Sequence, residues 1–378
     1  MHEAQSNRLL PRQRTRPVRV GGIAIGGGAP VTVQSMTNTR TADAAATLAQ
    51  IDRLVADGCE IVRVATPTAE DTAALREIVR RSPVPVVADV HFHFQRALEA
   101  VAAGVHKIRL NPGNIEDRAA VLSVIGACKA AGIPIRVGVN EGSVKAPGQA
   151  RSSGQPVHGE ALAELMVGAL DEYLRIFQDT GFDDLVLSAK SHDAAVCIAV
   201  YRAMAERFPY PLHVGLTHAG TIRTGLIRSV AAVGSLLAEG IGDTIRISLA
   251  GDPVAEVEAG KELLASLHLR PREGVEIIAC PTCGRTSADV AGLAEDVRAA
   301  LAGVREHVTV AVMGCVVNGP GEAKGADVAV CCGGGKAAIY RAGRQVRAVG
   351  MDQVRAALLE EVRSFVQSRS GVETTEHG

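Results

Sequence analysis

Two sets of residues in this chain are of types and spacings that could do chemistry. The first is Cys280-Pro-Thr-Cys283-Gly, two thiols three positions apart, with Cys315 opening a second loop further on. Two thiolates at that spacing can bind one metal centre, and a distant third can close the site. The second set falls at the ends of short runs rich in Val and Ile. It comprises Arg63, Asp89 with His91, Arg109 with Asn111, Arg136 with Asn140, Lys190, Thr217 with His218, and Arg246 with Ser248. Four arginines and a lysine at one mouth would form a focused anion site, the arginines as forks for phosphate and the lysine as a point charge. For any one of these arginines a surface ion pair is the plainer reading; their recurrence at successive strand ends argues for a shared role.

The thiols admit three chemistries. Cys-Pro-x-Cys-Gly begins many zinc ribbons, and zinc would take four protein ligands, with Cys331 or Cys332 completing the set. No second Cys-x-x-Cys is present to support that reading. A redox pair is weaker, because the motif lies outside the strand-helix-strand order such pairs use. An iron–sulfur cluster on three thiolates and one other ligand is the third, and spacing alone divides evenly between zinc and the cluster. Cys59, Cys128 and Cys197 sit inside apolar helix or strand patterns and read as core residues.

Positioning these side chains requires a repeating scaffold, and the sequence supplies one. From about residue 30 to about 250 a Val/Ile-rich run, a polar turn and an Ala-rich amphipathic stretch return eight times, which matches a TIM (β/α)8 barrel. The strand-like runs are 31–35, 60–65, 84–90, 107–111, 133–139, 184–188, 212–216 and 244–249. Apolar residues recur at helical spacing between them, and several of these stretches end in Gly (Gly58, Gly104, Gly132, Gly181 and Gly240), as helix C-termini often do. A doubly wound sheet is the alternative, but no Gly-rich dinucleotide turn follows the first strand. After a polar link at 268–274 the pattern changes to a small α+β domain. The expected division is 1–270 for the barrel, with 1–17 a flexible tail, and 271–378 for the thiol-bearing domain.

Hydrophobic residues make up 47% and aromatics 3%, with no Trp. Such a core is built from aliphatic side chains, as in parallel sheets. Forty basic residues against 41 acidic leave a net charge of -1, which offers no global field for nucleic acid or an anionic membrane. No apolar run approaches the ~20 residues that span a bilayer. The arginine-bearing N-terminus lacks the apolar stretch of a signal peptide, so the expected location is the cytoplasm.

Six further segments stand out: Val33-Gln-Ser-Met-Thr-Asn-Thr39, Ala88-Asp-Val-His-Phe92, Ile108-Arg-Leu-Asn-Pro-Gly-Asn114, Gly240-Ile-Gly-Asp-Thr244, Ala279-Cys-Pro-Thr-Cys283 and Met313-Gly-Cys-Val-Val-Asn-Gly-Pro-Gly-Glu322. Together they resemble one family, the 4-hydroxy-3-methylbut-2-enyl diphosphate synthases of the non-mevalonate isoprenoid pathway. The resemblance implies a [4Fe–4S] cluster on Cys280, Cys283, Cys315 and Glu322. It implies reduction of 2-C-methyl-D-erythritol 2,4-cyclodiphosphate, held by Arg63, Arg109, Arg136, Asn140, Lys190 and Ser248, with Asp89, His91 and Asn111 near that pocket. Flavodoxin or ferredoxin as electron donor and a homodimer are implied in the same way.

One position departs from the family pattern. Leu216-Thr-His-Ala-Gly220 carries His218 where the family has a Glu beside the substrate that is thought to supply a proton. Histidine can act as a general acid near neutral pH, so the expectation is a catalytic His218. A paralogue with another anionic hydroxylated substrate, or a cluster protein that binds without turnover, stands as the alternative. Phe92-His-Phe-Gln95 and Ala65-Thr-Pro-Thr68 also depart, and Cys331-Cys332 read as buried thiols.

Overall fold

Alternation along the strands decides the first unit. In the computed structural model the described residues are 11–91, 93–111, 117–144, 157–317 and 319–370. Phe92, Pro112-Gly113-Asn114, Asn318 and residues 1–10 of the expected tail lie outside them. The chain divides at Arg270/Pro271 into two units.

In the first unit β1 (Val18–Val20) and β2 (Ile23–Ile25) form an antiparallel hairpin that the sequence reading did not anticipate. Eight strands follow: β3 (Thr32–Met36), β4 (Ile61–Ala65), β5 (Val86–Val90), β6 (Lys107–Leu110), β7 (Ile135–Asn140), β8 (Leu185–Lys190), β9 (His213–Val214) and β10 (Thr244–Ile245). They pair in parallel in the order β8-β7-β6-β5-β4-β3-β10-β9. A bridge from Leu187 to Leu212 spans the remaining gap between β8 and β9, so the eight-stranded TIM barrel is nearly closed.

Helices cover the outside, and their starts are written in the sequence. Asp43, Asp117, Asp193 and Asp252 each accept a backbone N–H of the first turn that follows, and Thr68 forms a capping box with Asp71. Gly132 ends the helix Arg118–Ala131 in the left-handed region, with φ 64°. The helix expected over 223–239 is instead Ile222–Ser229, a π-helical turn Val230–Gly234 and Ser235–Ala238.

Successive strand residues point to opposite faces. Val33, Val62, Val64, Ala88, Ile108, Val137 and Leu187 face the helices and share one core with Leu48, Ile51 and Leu75. The alternate residues, among them Gln34, Arg63, Asp89, Lys107, Arg109, Arg136 and Lys190, are buried on the other face. Branched apolar side chains usually fill a barrel lumen; charged ones occupy this one. A smaller apolar cluster of Val20, Ile25, Ile61 and Val87 joins the hairpin to β4 and β5.

Residues 11–17 are not a free tail. Arg12 donates to Asp243 at 2.9 Å, Thr15 donates to the same carboxylate at 3.1 Å, and the Gln13 amide donates to Gly240 O at 2.9 Å. Asp243 is buried and draws the basic and hydroxyl groups inward. That is the correction to the solvated reading of these residues.

The second unit is a five-stranded sheet in sequential order: β11 (Val275–Ala279), β12 (Val308–Met313), β13 (Val328–Gly333), β14 (Lys336–Arg341) and β15 (Arg344–Gly350). The first three are parallel and the last two antiparallel. Strand β15 was not foreseen. It follows a two-residue turn, Ala342-Gly343, in which both residues have positive φ, 46° and 74°, the geometry of a tight hairpin. Helices Val290–Ala300 and Val354–Ser370 cover one face through Leu293, Val297, Leu358 and Val362.

Candidate functional site

The barrel lumen gathers most of the basic residues picked out from the sequence. Asp89 on β5 is its central carboxylate. Arg109 donates to Asp89 Oδ1 at 3.0 Å, and Arg63 Nε lies 3.6 Å from Oδ2. His91 Nε2 is 2.8 Å from Arg109 Nη1 and 3.4 Å from Asp89 Oδ1. Burial alone would raise the Asp89 carboxyl, but Arg63 and Arg109 outweigh it and hold the group well below the usual carboxylate range. Burial also pulls Arg63 down to about 10, with Asp89 opposing and Arg246 and Arg109 adding to the fall. Arg246 is neutralised separately: Glu256, from the helix Pro253–Ser266, accepts from its Nε and Nη2 at 3.1 Å each. The Met36 sulfur lies against both Arg63 and Arg246.

Arg63, Arg109 and Arg136 do not stand at strand ends, as the sequence reading placed them. Arg63 is the third residue of β4, Arg109 the third of β6 and Arg136 the second of β7. Their long side chains stay within the lumen, and Arg136 is 1% exposed. Asn140 and Lys190 are the last residues of β7 and β8 and are partners in register. Lys190 is buried, and burial, then Arg136, Arg63 and Arg246, lower the stability of its ammonium form. Gly215 makes room for it: a Cβ there would fall 2.9 Å from Lys190 Nζ and 2.4 Å from Arg246 O. Gly138 does the same for Arg109 and Ser188, with a Cβ falling 2.6 Å from Ser188 Oγ.

The rim above is more open. Asn111 is buried, Ser248 is half-buried beyond β10, and His218 is exposed beyond β9. His218 has a positive φ of 50°, uncommon for a residue with a side chain. Its Nδ1 is 3.1 Å from Thr217 Oγ1. Residue Glu141, which the sequence reading passed over, accepts from His192 Nδ1 at 2.6 Å, from the His192 amide at 3.1 Å and from Ser191 Oγ. Burial would raise Glu141, but these donors keep it below the ordinary value.

In the second unit Cys280 and Cys315 follow the C-terminal ends of two adjacent parallel strands, β11 and β12. The Cys280 amide continues the β11–β12 ladder by donating to Val312 O at 2.9 Å. The knuckle then turns with Thr282 at φ 65°. Thr286 Oγ1 accepts from the Cys283 amide at 3.0 Å, and the Ser287 amide donates to Gly314 O at 3.0 Å. Gly314 must be a glycine for this approach, since a Cβ would fall 2.9 Å from Thr286 Cγ2. The loops carrying Cys280, Cys283 and Cys315 are thus tied together.

Cys283 is exposed and Cys280 and Cys315 partly so. Glu322 ends a helical turn, Gly319–Glu322, and is exposed. Among the described residues no three His, Cys, Asp or Glu side chains are grouped to hold a single metal ion. Cys331 and Cys332 are buried on opposite faces of β13, Cys331 beside Met313 and Cys332 in the helix-covered core. Burial pushes the Cys331 thiol up to about 12, with Cys332 and Cys315 adding to the rise.

Comparison with known proteins matches both units in order. The GcpE TIM-barrel domain matches residues 15–261, and the GcpE protein C-terminal domain matches residues 276–364. The chain belongs to the GcpE family. A relative from Geobacter sulfurreducens is 46% identical over 358 residues, covering 95% of this chain and 99% of its own. One from Salinispora tropica is 48% identical over 356 residues, covering 93% and 89%. One from Acidothermus cellulolyticus is 48% identical over 362 residues, covering 95% and 90%. All three are named 4-hydroxy-3-methylbut-2-en-1-yl diphosphate synthase (flavodoxin).

In this GcpE chain the sequence reading missed Lys107, His213 and Gln34, which share the lumen with the arginines. The period-2 rule would have found Lys107, two residues before Arg109 in a run already read as a strand. It gave Met36 no role, although that residue falls in the quoted Val33–Thr39 segment, and it missed Glu256, which no local pattern marks.

Proposed function

We propose that the chain catalyses the two-electron reductive ring opening and dehydroxylation of 2-C-methyl-D-erythritol 2,4-cyclodiphosphate to 4-hydroxy-3-methylbut-2-enyl diphosphate. The observation that carries the reading is the lumen. Arg63, Arg109, Arg136 and Lys190 are buried in one another's field, and of these only Arg63 and Arg109 pair with the Asp89 carboxylate; a buried cationic excess calls for an anionic guest. The names of the relatives supply the product, a diphosphate, and flavodoxin.

Substrate binding falls to Arg63, Arg109, Arg136, Asn140, Lys190 and Ser248. Asp89 holds Arg63 and Arg109 in place, and His91 and Asn111 complete the polar wall. The arginines would balance the negative charge that grows on the diphosphate as its ring opens, in a site withdrawn from water. His218 is proposed as the proton donor at the rim. With the Thr217 hydroxyl donating to Nδ1, Nε2 is the nitrogen that would carry the proton.

Cys280, Cys283, Cys315 and Glu322 are proposed to hold a [4Fe–4S] cluster. Three accessible thiols and a solvent-facing carboxylate on short, mutually bonded loops suit such a donor set. A cluster also does not require its ligands to converge on one ion. When bound, it would supply electrons from flavodoxin or ferredoxin and a Lewis-acidic iron. Exposed Ile278, Val316 and Val317 in the same unit accord with a homodimer in which this unit meets a partner. All eight cysteines are free, which suits the cytoplasm. No helix of the described residues is long and apolar enough to cross a membrane.

The test is anaerobic purification, iron and sulfide analysis, and turnover of the cyclodiphosphate with reduced methyl viologen. The expected result is a cluster-bearing protein that forms the allylic diphosphate. Zinc in place of iron, or a full cluster without turnover, would overturn the reading. For His218, the Gln variant should lose turnover while retaining the cluster, and His218→Glu should restore it with an altered pH profile. A Gln variant as fast as the parent would remove His218 from the mechanism.

A further inference from the structure

Several of the deepest polar atoms of the lumen have no hydrogen-bond partner among the described residues. Lys107 opens β6, Arg136 stands second in β7, His213 opens β9 and Gln34 lies within β3. Lys107 Nζ, Arg136 Nε and Nη1, both ring nitrogens of His213 and both amide atoms of Gln34 are buried without a hydrogen-bond partner among the described residues. Lys107 and His213 are 0% exposed. Nearly all buried polar groups in folded proteins are satisfied, so a cluster of orphans beneath a proposed anion site needs a reason.

Charge supplies one. The groups that act on Lys107 are Arg136 from β7 and Arg63 from β4, and Lys107 in turn acts on His213 from β9. Lys190 on β8 adds to the same field at His213, and Arg246, just beyond β10, is already paired with Glu256. The one lumen carboxylate among these groups, Asp89 on β5, is taken up by Arg63 and Arg109. Arginine does not shed its proton, whereas a buried lysine does. Burial first, then Arg136 and Arg63, work against the Lys107 ammonium. A dianion resting on the arginines would reverse the local field and favour the ammonium again.

We propose that Lys107 is a further residue of the anion site, a lumen amine that takes up a proton as the polyanion enters the barrel. This deepens the substrate reading above and rests on it. Lys107 acts through the field rather than by contact, and it is a positioning residue for charge. Binding is then coupled to proton uptake, and affinity weakens as pH rises.

The test is calorimetric titration of the full-length, anaerobically purified protein with the cyclodiphosphate, near neutral pH, in buffers of different ionisation enthalpy. Each phosphorus of that ligand carries one ester and one anhydride linkage and so one strongly acidic proton, and any protons taken up belong to the protein. The parent protein should show net uptake, and Lys107→Met should bind with at least half of that uptake lost. Should the Met variant fail to fold, Lys107→Gln, which keeps a polar side chain in the lumen, takes its place and should lose the same share of the uptake. Buffer-independent heats, a pH-independent Kd, or uptake unchanged in Lys107→Met would each overturn the proposal and leave the substrate reading standing. No binding at all would overturn both.

Discussion

In the barrel, Arg63, Arg109, Arg136 and Lys190 are withdrawn from water, whereas in the C-terminal unit Cys283, on a loop, and Glu322, at the end of a helical turn, stand in solvent. The lumen residues are set by strand register. Asp89 lies opposite Arg109 and Arg109 opposite Arg136 because β5, β6 and β7 pair as they do. Such a site is rigid and electrostatically strained, since each buried cation has given up hydration that one carboxylate does not replace. The thiol rim carries little of that strain. Its order comes from a few backbone bonds between the knuckle and the Gly314 loop. A pocket for a charged ligand needs preorganised charge, while donors on loops leave room for ligand exchange.

The sharpest way to break this comparison is to remove a thiol. Cys280→Ser, Cys283→Ser or Cys315→Ser should lose iron and lower turnover by on the order of 10³-fold or more, as expected for groups that act as a unit. Fold stability of the barrel should be unaffected. Cys331→Ala and Cys332→Ala should keep their iron by sulfide and iron analysis. Loss of iron in either would place a ligand in the core of the sheet.

Next in size is Asp89→Asn, which strands Arg63 and Arg109. Breaking a buried ion pair from one side costs about 3–5 kcal/mol, measured by urea unfolding. Because the folded carboxyl is held well below the ordinary value, its contribution is present above the unfolded pKa. It is lost as pH falls through the folded one. The parent should therefore lose stability on acidification more steeply than Asp89→Asn.

Gly215→Ala should have a smaller effect. The added methyl meets Arg246 O and Lys190 Nζ, and overpacking of this kind costs about 1–3 kcal/mol. Binding of the cyclodiphosphate should weaken more than the thermal midpoint falls, because the ammonium is displaced.

The smallest effect belongs to Lys107→Met. The folded ammonium is weakened well below 10.5, so between its folded and unfolded values the unfolded chain binds more protons. Stability then rises with pH through the alkaline range. The Met variant should flatten that rise, as followed by denaturant titration at several pH values.

The eight barrel strands were legible because aliphatic runs and helix caps such as Thr68 and Asp193 recur with the right period. The C-terminal β15 was not, since Arg344-Gln-Val-Arg-Ala-Val-Gly350 carries few apolar residues and is held by pairing with β14. The docking of Arg12 and Thr15 on Asp243 was hidden for a related reason. Their partner lies more than two hundred residues away, and no local pattern announces it.

By itself the sequence determined the kind of protein this is: the order of strands and helices, the thiol knuckle, and basic residues recurring in successive strand-like runs. Residue type and spacing suffice for that, because secondary structure and motif chemistry are local. Only the tertiary structure decided that Arg63, Arg109 and Arg136 reach into the lumen from within their strands, that Glu256 neutralises Arg246, and that Lys107 Nζ and both ring nitrogens of His213 have no hydrogen-bond partner among the described residues. Those facts depend on strand register and barrel closure, which bring distant residues within a few ångströms and set how far water is kept from their charges.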